Sequence, residues 1–286
     1  RGCALITPLS STMSPYESSK FKAPTAETPA SLRSEWKAAD EALWKYVEEH
    51  VPAVMEHTGS EAFDEHLKGV QAVLRYWGAP SYLASAGLFH SIYGTEGFQG
   101  YSLPLQTGRK DIKFLIGEKA ENLCFIFCMV DRSSFDATVF DWTCPVDPSA
   151  VFRLRARPEL GRFDMELNKE EWLDFVQLTL SDWLEQVEGA SKKPSSLFLW
   201  KTGEAYAYRR LAYRKMAEIL RVELSSDIPQ QMLEAVMATE SPHTRHLVQP
   251  RTPPMSTASA DALAALRANG EDIPVDLSPK PMEQPD

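Results

Sequence analysis

The chain has 286 residues, 43% of them hydrophobic with seven Trp and thirteen Phe, enough apolar mass for the core of one large domain or two small ones. A formal net charge of −10 repels a phosphate backbone, which excludes broad nucleic-acid binding. No apolar run approaches the roughly 20 residues that a bilayer-spanning helix needs, so the expectation is a soluble, intracellular chain with no membrane partner.

Residues 1–30 are rich in Ser, Thr and Pro, lack sustained periodicity, and read as a disordered N-terminal arm. Because the chain opens at Arg1, this arm is open to being the remnant of a targeting segment. From Ser31, Leu32, Trp36, Leu43, Trp44 and Val47 fall on one helical face, and Pro52 interrupts that helix and starts a short continuation. A helix is predicted over 61–77 with Phe63, Leu67, Val70, Val73, Leu74 and Trp77 inward. His66 follows Phe63 by one turn and precedes Val70 by another, which puts its imidazole on the same stripe. Gly78 ends this helix and Pro80 starts the next, which runs to about Tyr93 and carries His90 among Ala84, Ala86 and Gly87.

A loop over 94–108 and a strong helix over 109–130 follow. Asp131 and Arg132 then read as the end of that helix, as a local ion pair or a cap. Residues 151–157 and 162–167 alternate apolar and polar about Gly161, which predicts a β-hairpin with Phe152, Leu154 and Ala156 facing Phe163, Met165 and Leu167. Asn168 with Glu171 three positions on resembles a capping box and opens a helix to Gly189. On that helix Asp182 follows Leu178 and Phe175 on the apolar face. A linker over 190–196 precedes a helix at 203–221, on which Tyr206, Arg210 and Arg214 share a face, and Pro229 starts a shorter helix. The fold class expected is mostly α, one helical domain over 31–248, with a Pro-rich C-terminal tail over 249–286 that holds a short helix at 258–268. Cys3, Cys124, Cys128 and Cys144 have no zinc or redox spacing and read as buried thiols of a reducing compartment.

An inward carboxylate is rare unless paired or metal-bound, because desolvating it alone costs several kcal/mol. Imidazole nitrogen and carboxylate oxygen are normal ligands for divalent Mn, Fe or Zn. His66, His90 and Asp182, each inward on a different helix, are therefore candidate metal ligands, against the alternative of ordinary hydrogen-bonded core residues. Tyr93 could donate a hydrogen bond to a substrate. Arg109, Lys110, Arg209, Arg210, Arg214 and Lys215 could supply phosphate contacts, guanidinium being bidentate toward phosphate oxygens. His243 and His246 read as surface residues.

A helix with His (EHLKGV), a helix ending in His (AGLFHSIYG) and a helix with Asp (LSDWLEQ) follow one another in an order that resembles the HD-domain superfamily. That superfamily comprises helical metal-dependent phosphohydrolases and some di-iron oxygenases. Residues 86–132 are also loosely similar to the HD hydrolases of guanosine polyphosphates, with FLIGEKAENLCFIF as the Gly-containing helix. Over about 60–265 the chain resembles an uncharacterised family with a His-Ser-Ile-Tyr-Gly-Thr signature, which shares the elements WKTGEAYAYRR and RTPPMS.

The HD resemblance implies an HD-like helical bundle with His66, His90 and Asp182 as metal ligands. Ser91 stands where the HD pattern has its Asp, which disfavours a dinuclear site and leaves a mononuclear one with open positions. Glu96, beyond the Gly94 break, and Asp131 are then candidates to fill that gap, Glu96 as a ligand or general base, with Arg109 a phosphate clamp. Three functions stand: a metal-dependent hydrolase of a phosphorylated small molecule, a degenerate HD-like domain that binds a ligand or partner without catalysis, and an iron-dependent HD-type oxygenase. The absence of a Gly-rich phosphate loop or a nucleophile elbow disfavours nucleotide kinases and serine hydrolases.

Overall fold

The computed structural model describes residues 29–50, 63–96, 103, 105–191, 194, 201–202, 205–206 and 209–224. They form α1 (Ala30–His50), α2 (Phe63–Tyr76), α3 (Ser81–Phe89), α4 (Leu105–Ile116), α5 (Glu118–Met129), α6 (Arg132–Phe140), β1 (Val151–Arg155), β2 (Asp164–Asn168), α7 (Lys169–Ser191) and α8 (Arg210–Glu223). The architecture is mostly helical, with a single two-stranded antiparallel sheet among the described residues. None of these helices is long and apolar enough to cross a membrane.

The centre is α7, whose Trp172, Phe175, Val176, Leu178, Leu180, Trp183, Leu184 and Val187 are buried. Asn168 caps it: the Glu171 N–H donates to Asn168 Oδ1 at 3.0 Å, and the Asn168 N–H donates to Glu171 Oε2 at 3.0 Å. This reciprocal pair satisfies one free N–H at the helix start and the N–H of the residue before it. The hairpin pairs Phe152 with Leu167 and Leu154 with Met165, and Phe152 stacks on Trp172 at 4.1 Å.

Helix α2 buries Phe63, Leu67, Val70, Val73 and Leu74 and packs on α3 and α7, while α3 packs also on α5. Asp64 and Glu65 in its first turn and Arg75 in its last match the helix dipole. Small residues let α3 come close to α2. A methyl at Gly87 would lie 2.5 Å from Leu74 Cδ1 and 3.4 Å from the Gln71 backbone.

Several expectations require correction. The helix predicted over 109–130 is two helices, α4 and α5, with α4 beginning at Leu105 inside the predicted loop. They break at Gly117, whose φ of +85° is a backbone conformation that L side chains rarely adopt. Asp131 does not end a helix but starts one: its side chain accepts from the Ser133 N–H at 2.9 Å as the N-cap of α6. The helix expected from 203 starts at Arg210, and Tyr206 precedes it in left-handed backbone with φ 56°, so Tyr206, Arg210 and Arg214 form no common helical face. The helix carrying His90 ends at Phe89 and continues as turns through Tyr93. Leu32, expected inward on α1, is exposed. Cys124 and Cys128 are buried thiols, but Cys144 is disulfide-bonded. The arm over 1–28, the continuation after Pro52, the helices from Pro229 and at 258–268, His243, His246 and the tail lie outside the described residues.

Candidate metal centre

His66 sits at the end of the first turn of α2, His90 caps the C-terminus of α3, and Asp182 lies on the inner side of α7. Both imidazoles are shielded from solvent, and the Asp182 side chain is 17% exposed. The second nitrogen of each ring fixes its tautomer. His66 Nδ1 is hydrogen-bonded to Glu185 Oε2, and His90 Nδ1 donates to the Gly87 carbonyl at 2.7 Å. Both partners accept, so both Nδ1 atoms carry hydrogen and the two Nε2 atoms are left for what lies between them.

Those two Nε2 atoms are 3.4 Å apart, and Asp182 Oδ1 lies 3.2 Å from one and 3.3 Å from the other. Two neutral rings in this pose would point lone pairs at each other, so the arrangement calls for a cation at the focus. The triangle fits a metal: ligand bonds of 2.0–2.1 Å in tetrahedral geometry give ligand–ligand edges of about 3.3 Å.

The local field also favours positive charge. Burial opposes a charged His66, but Glu185 and the hydrogen bond to Asp182 outweigh it and push the imidazole up to about 10. For Asp182 burial opposes ionisation, yet its contacts with His66 and His90 hold it well below the usual carboxylate range.

A second layer fixes these ligands. Gly69 leaves room for Glu185, since a methyl there would lie 2.7 Å from Glu185 Oε1. Gln186 donates to Asp182 Oδ1 at 2.9 Å and accepts from the Tyr206 hydroxyl at 2.6 Å. The Cys128 thiol donates to the His90 carbonyl at 3.1 Å and the Cys124 thiol to the Ala86 carbonyl at 3.5 Å, tying α5 to α3. The Phe127 ring meets the His90 ring at 90° with centroids 4.8 Å apart.

The remaining predicted site residues separate into two groups. Glu96 is half-buried, and burial pushes its carboxyl up to about 7 despite Arg132, Arg209 and Arg157 nearby. Tyr93 and Arg109 converge on another acid, the buried Glu121. Arg109 forks onto it at 2.6 and 2.9 Å, and the Tyr93 hydroxyl donates at 3.2 Å. Burial, then the Glu121 charge, holds the Tyr93 hydroxyl far above its ordinary range. Ser91 is buried, and its hydroxyl has no hydrogen-bond partner among the described residues. Arg209 is held by Asp136 at 2.9 and 2.6 Å, Arg210 by the Ala205 carbonyl, and Lys215 by Glu218 at 3.2 Å.

Glu185, Gln186, Glu121 and Arg132 are the site-region residues that sequence pattern did not single out. A signal existed for one of them. Glu185 follows Asp182 by three on α7, a spacing that puts both carboxylates on one face.

Residues 46–132 match the model of a domain of unknown function (DUF6817). The matched segment contains His66 and His90 and ends at Arg132, so Asp182 and Glu185 lie beyond it. No curated protein and no solved structure matches the chain.

Proposed function

We propose that this chain is a metal-dependent hydrolase of a phosphorylated small molecule, built on an HD-like helical core. The observation that carries the reading is the convergence of His66 Nε2, His90 Nε2 and Asp182 Oδ1 on one point, with both outer nitrogens already committed to Glu185 and Gly87. Mn, Fe or Zn suits this donor set. When bound, a divalent ion supplies Lewis-acid activation of water and of phosphoryl oxygens at neutral pH.

The chain's own residues do the rest. Glu185 holds the His66 ring and Gln186 the Asp182 carboxylate, the outer contacts that set ligand orientation and basicity. Glu96, with its carboxyl near 7, is poised to take and return a proton at neutral pH, as a general base requires. Tyr93, in the turns after α3, and Arg109, on α4, both meet Glu121 on α5 and belong on this reading to the support of these elements rather than to substrate contact.

A second reading, the degenerate HD-like domain, is favoured by two observations. Ser91 replaces the acid of the HD pattern, and His66 holds a proton tightly enough for that proton to fill the cluster. Metal analysis separates the two: folded wild type and His90→Ala are reconstituted with Mn, Fe or Zn and assayed by mass spectrometry. Near-stoichiometric metal in wild type, lost in the variant, is the expected result; none in wild type selects the degenerate domain. Equal metal in both would refute the assigned ligands. With metal established, phosphoester turnover against oxygen uptake with ferrous iron decides between the hydrolase and the iron-dependent oxygenase.

A further inference from the structure

Most buried or half-buried guanidiniums among the described residues have a visible counterpart. Arg75 pairs with Asp40 at 2.8 Å, Arg157 with Glu159 at 3.0 Å, and Arg209 with Asp136 at 2.6 Å, while Arg210 donates to the Ala205 carbonyl at 2.9 Å. Arg132 is different. It is only 9% exposed, no carboxylate among the described residues lies within ion-pair distance, and its Nη1 has no hydrogen-bond partner there. A buried polar group left without a partner keeps its full desolvation cost, larger still when it is charged, so such a donor calls for a ligand.

Its place tells which ligand. The Arg132 guanidinium lies over the Phe127 ring, 3.9 Å from its centroid, and that same ring abuts His90. Burial and the neighbouring Arg209 press its pKa down, while Asp182 and Glu96 act on it in the opposite sense. Arg132 therefore stands beside the metal cluster, within electrostatic reach of Asp182 and of Glu96, as a cation with no ion-pair partner among the described residues.

We propose that Arg132 binds a phosphate oxyanion of the substrate next to the His66–His90–Asp182 cluster. The stacked guanidinium is held flat by Phe127 and presents fork-shaped donors that match phosphate oxygens. This deepens the hydrolase reading by assigning its anion contact to Arg132 in place of Arg109, whose donors Glu121 takes.

Inorganic phosphate is the probe, titrated by calorimetry into metal-loaded and chelator-treated full-length protein, wild type beside Arg132→Gln and Arg132→Met. The expected result is phosphate binding by wild type that weakens about 10- to 100-fold in Arg132→Gln, the range of one charge-assisted hydrogen bond, with metal content unchanged. Arg132→Met, which removes the buried charge, should raise the thermal midpoint without phosphate and abolish the rise that phosphate gives wild type. Equal phosphate affinity in wild type and Arg132→Gln overturns the proposal, as does wild type that binds no phosphate in either metal state. Should wild type hold no metal yet lose phosphate binding on Arg132→Gln, the hydrolase reading fails and the anion site stands. Metal retained with phosphate affinity untouched gives the reverse.

Discussion

Metal-free protein should lose stability as the pH rises from 7 to 8.5, and His66 should be the reason. Its imidazole goes from an ordinary value of 6.5 to about 10 on folding. A folded value above the unfolded one means that the native state binds the proton more tightly. The contribution is thus fully present below 6.5 and is lost as the pH rises through about 10. This rise contributes at most about 5 kcal/mol, of which about 2 kcal/mol falls between pH 7 and 8.5. Because Asp182 and Glu185 share this proton, their side of the interaction is the same energy and is counted once.

Among the described residues, two sets of shifted groups border this window. Glu96, pushed up to about 7, has lost most of its own proton-linked contribution by then. The thiols of Cys124 and Cys128, raised by burial, add a further loss only above their ordinary value of 9.0. Urea unfolding after chelator treatment, followed at pH 7, 7.5, 8 and 8.5, measures the slope. Glu185→Gln should flatten it. A level profile in wild type, or an unchanged slope in His66→Gln, would refute the account of the cluster as a proton trap.

Two further outcomes follow from the same geometry. Glu185→Gln should weaken metal binding about 10- to 100-fold in a chelator-competition assay while leaving the three ligands in place, as outer-shell substitutions do; an unchanged affinity would remove Glu185 from the site. Gly87→Ala should cost about 1–3 kcal/mol in urea unfolding, although alanine favours a helix, because its methyl meets the fully buried Leu74 and has to push α3 off α2. A variant as stable as wild type would show that Leu74 has room to yield.

Much of this was legible because periodicity reports which face of an element is buried. The α2 stripe places His66 inward, the α7 stripe places Asp182, and the alternation about Gly161 puts Leu154, Ala156, Phe163, Met165 and Leu167 on the buried side. The capping box at Asn168 is equally local, and it forms. Local signals also mislead where two meanings share one pattern. Asp131 followed by Ser133 and Ser134 is an N-cap sequence, yet after a long apolar run it reads as a helix end. Gly117 inside such a run looks tolerable until its φ is known. Arg132 and Glu121 are invisible to periodicity, because what distinguishes them is partners, or the lack of one, brought by other elements.

The cluster gathers side chains from distant parts of the chain. Its two histidines are 24 residues apart, and His66 meets Glu185 across 119 residues. Closing a loop that long on folding carries an entropy penalty, one that grows only logarithmically with length, and the contacts made at this point have to offset it. In topological terms it is a knot of contacts joining the matched segment to a helix outside it. A piece cut at Arg132 would keep both imidazoles and lose the acids that orient and charge them. An ion bound at the focus would act as a clasp between the front and the back of the fold, and its removal should loosen α7 before it disturbs the pairing of α2 with α3.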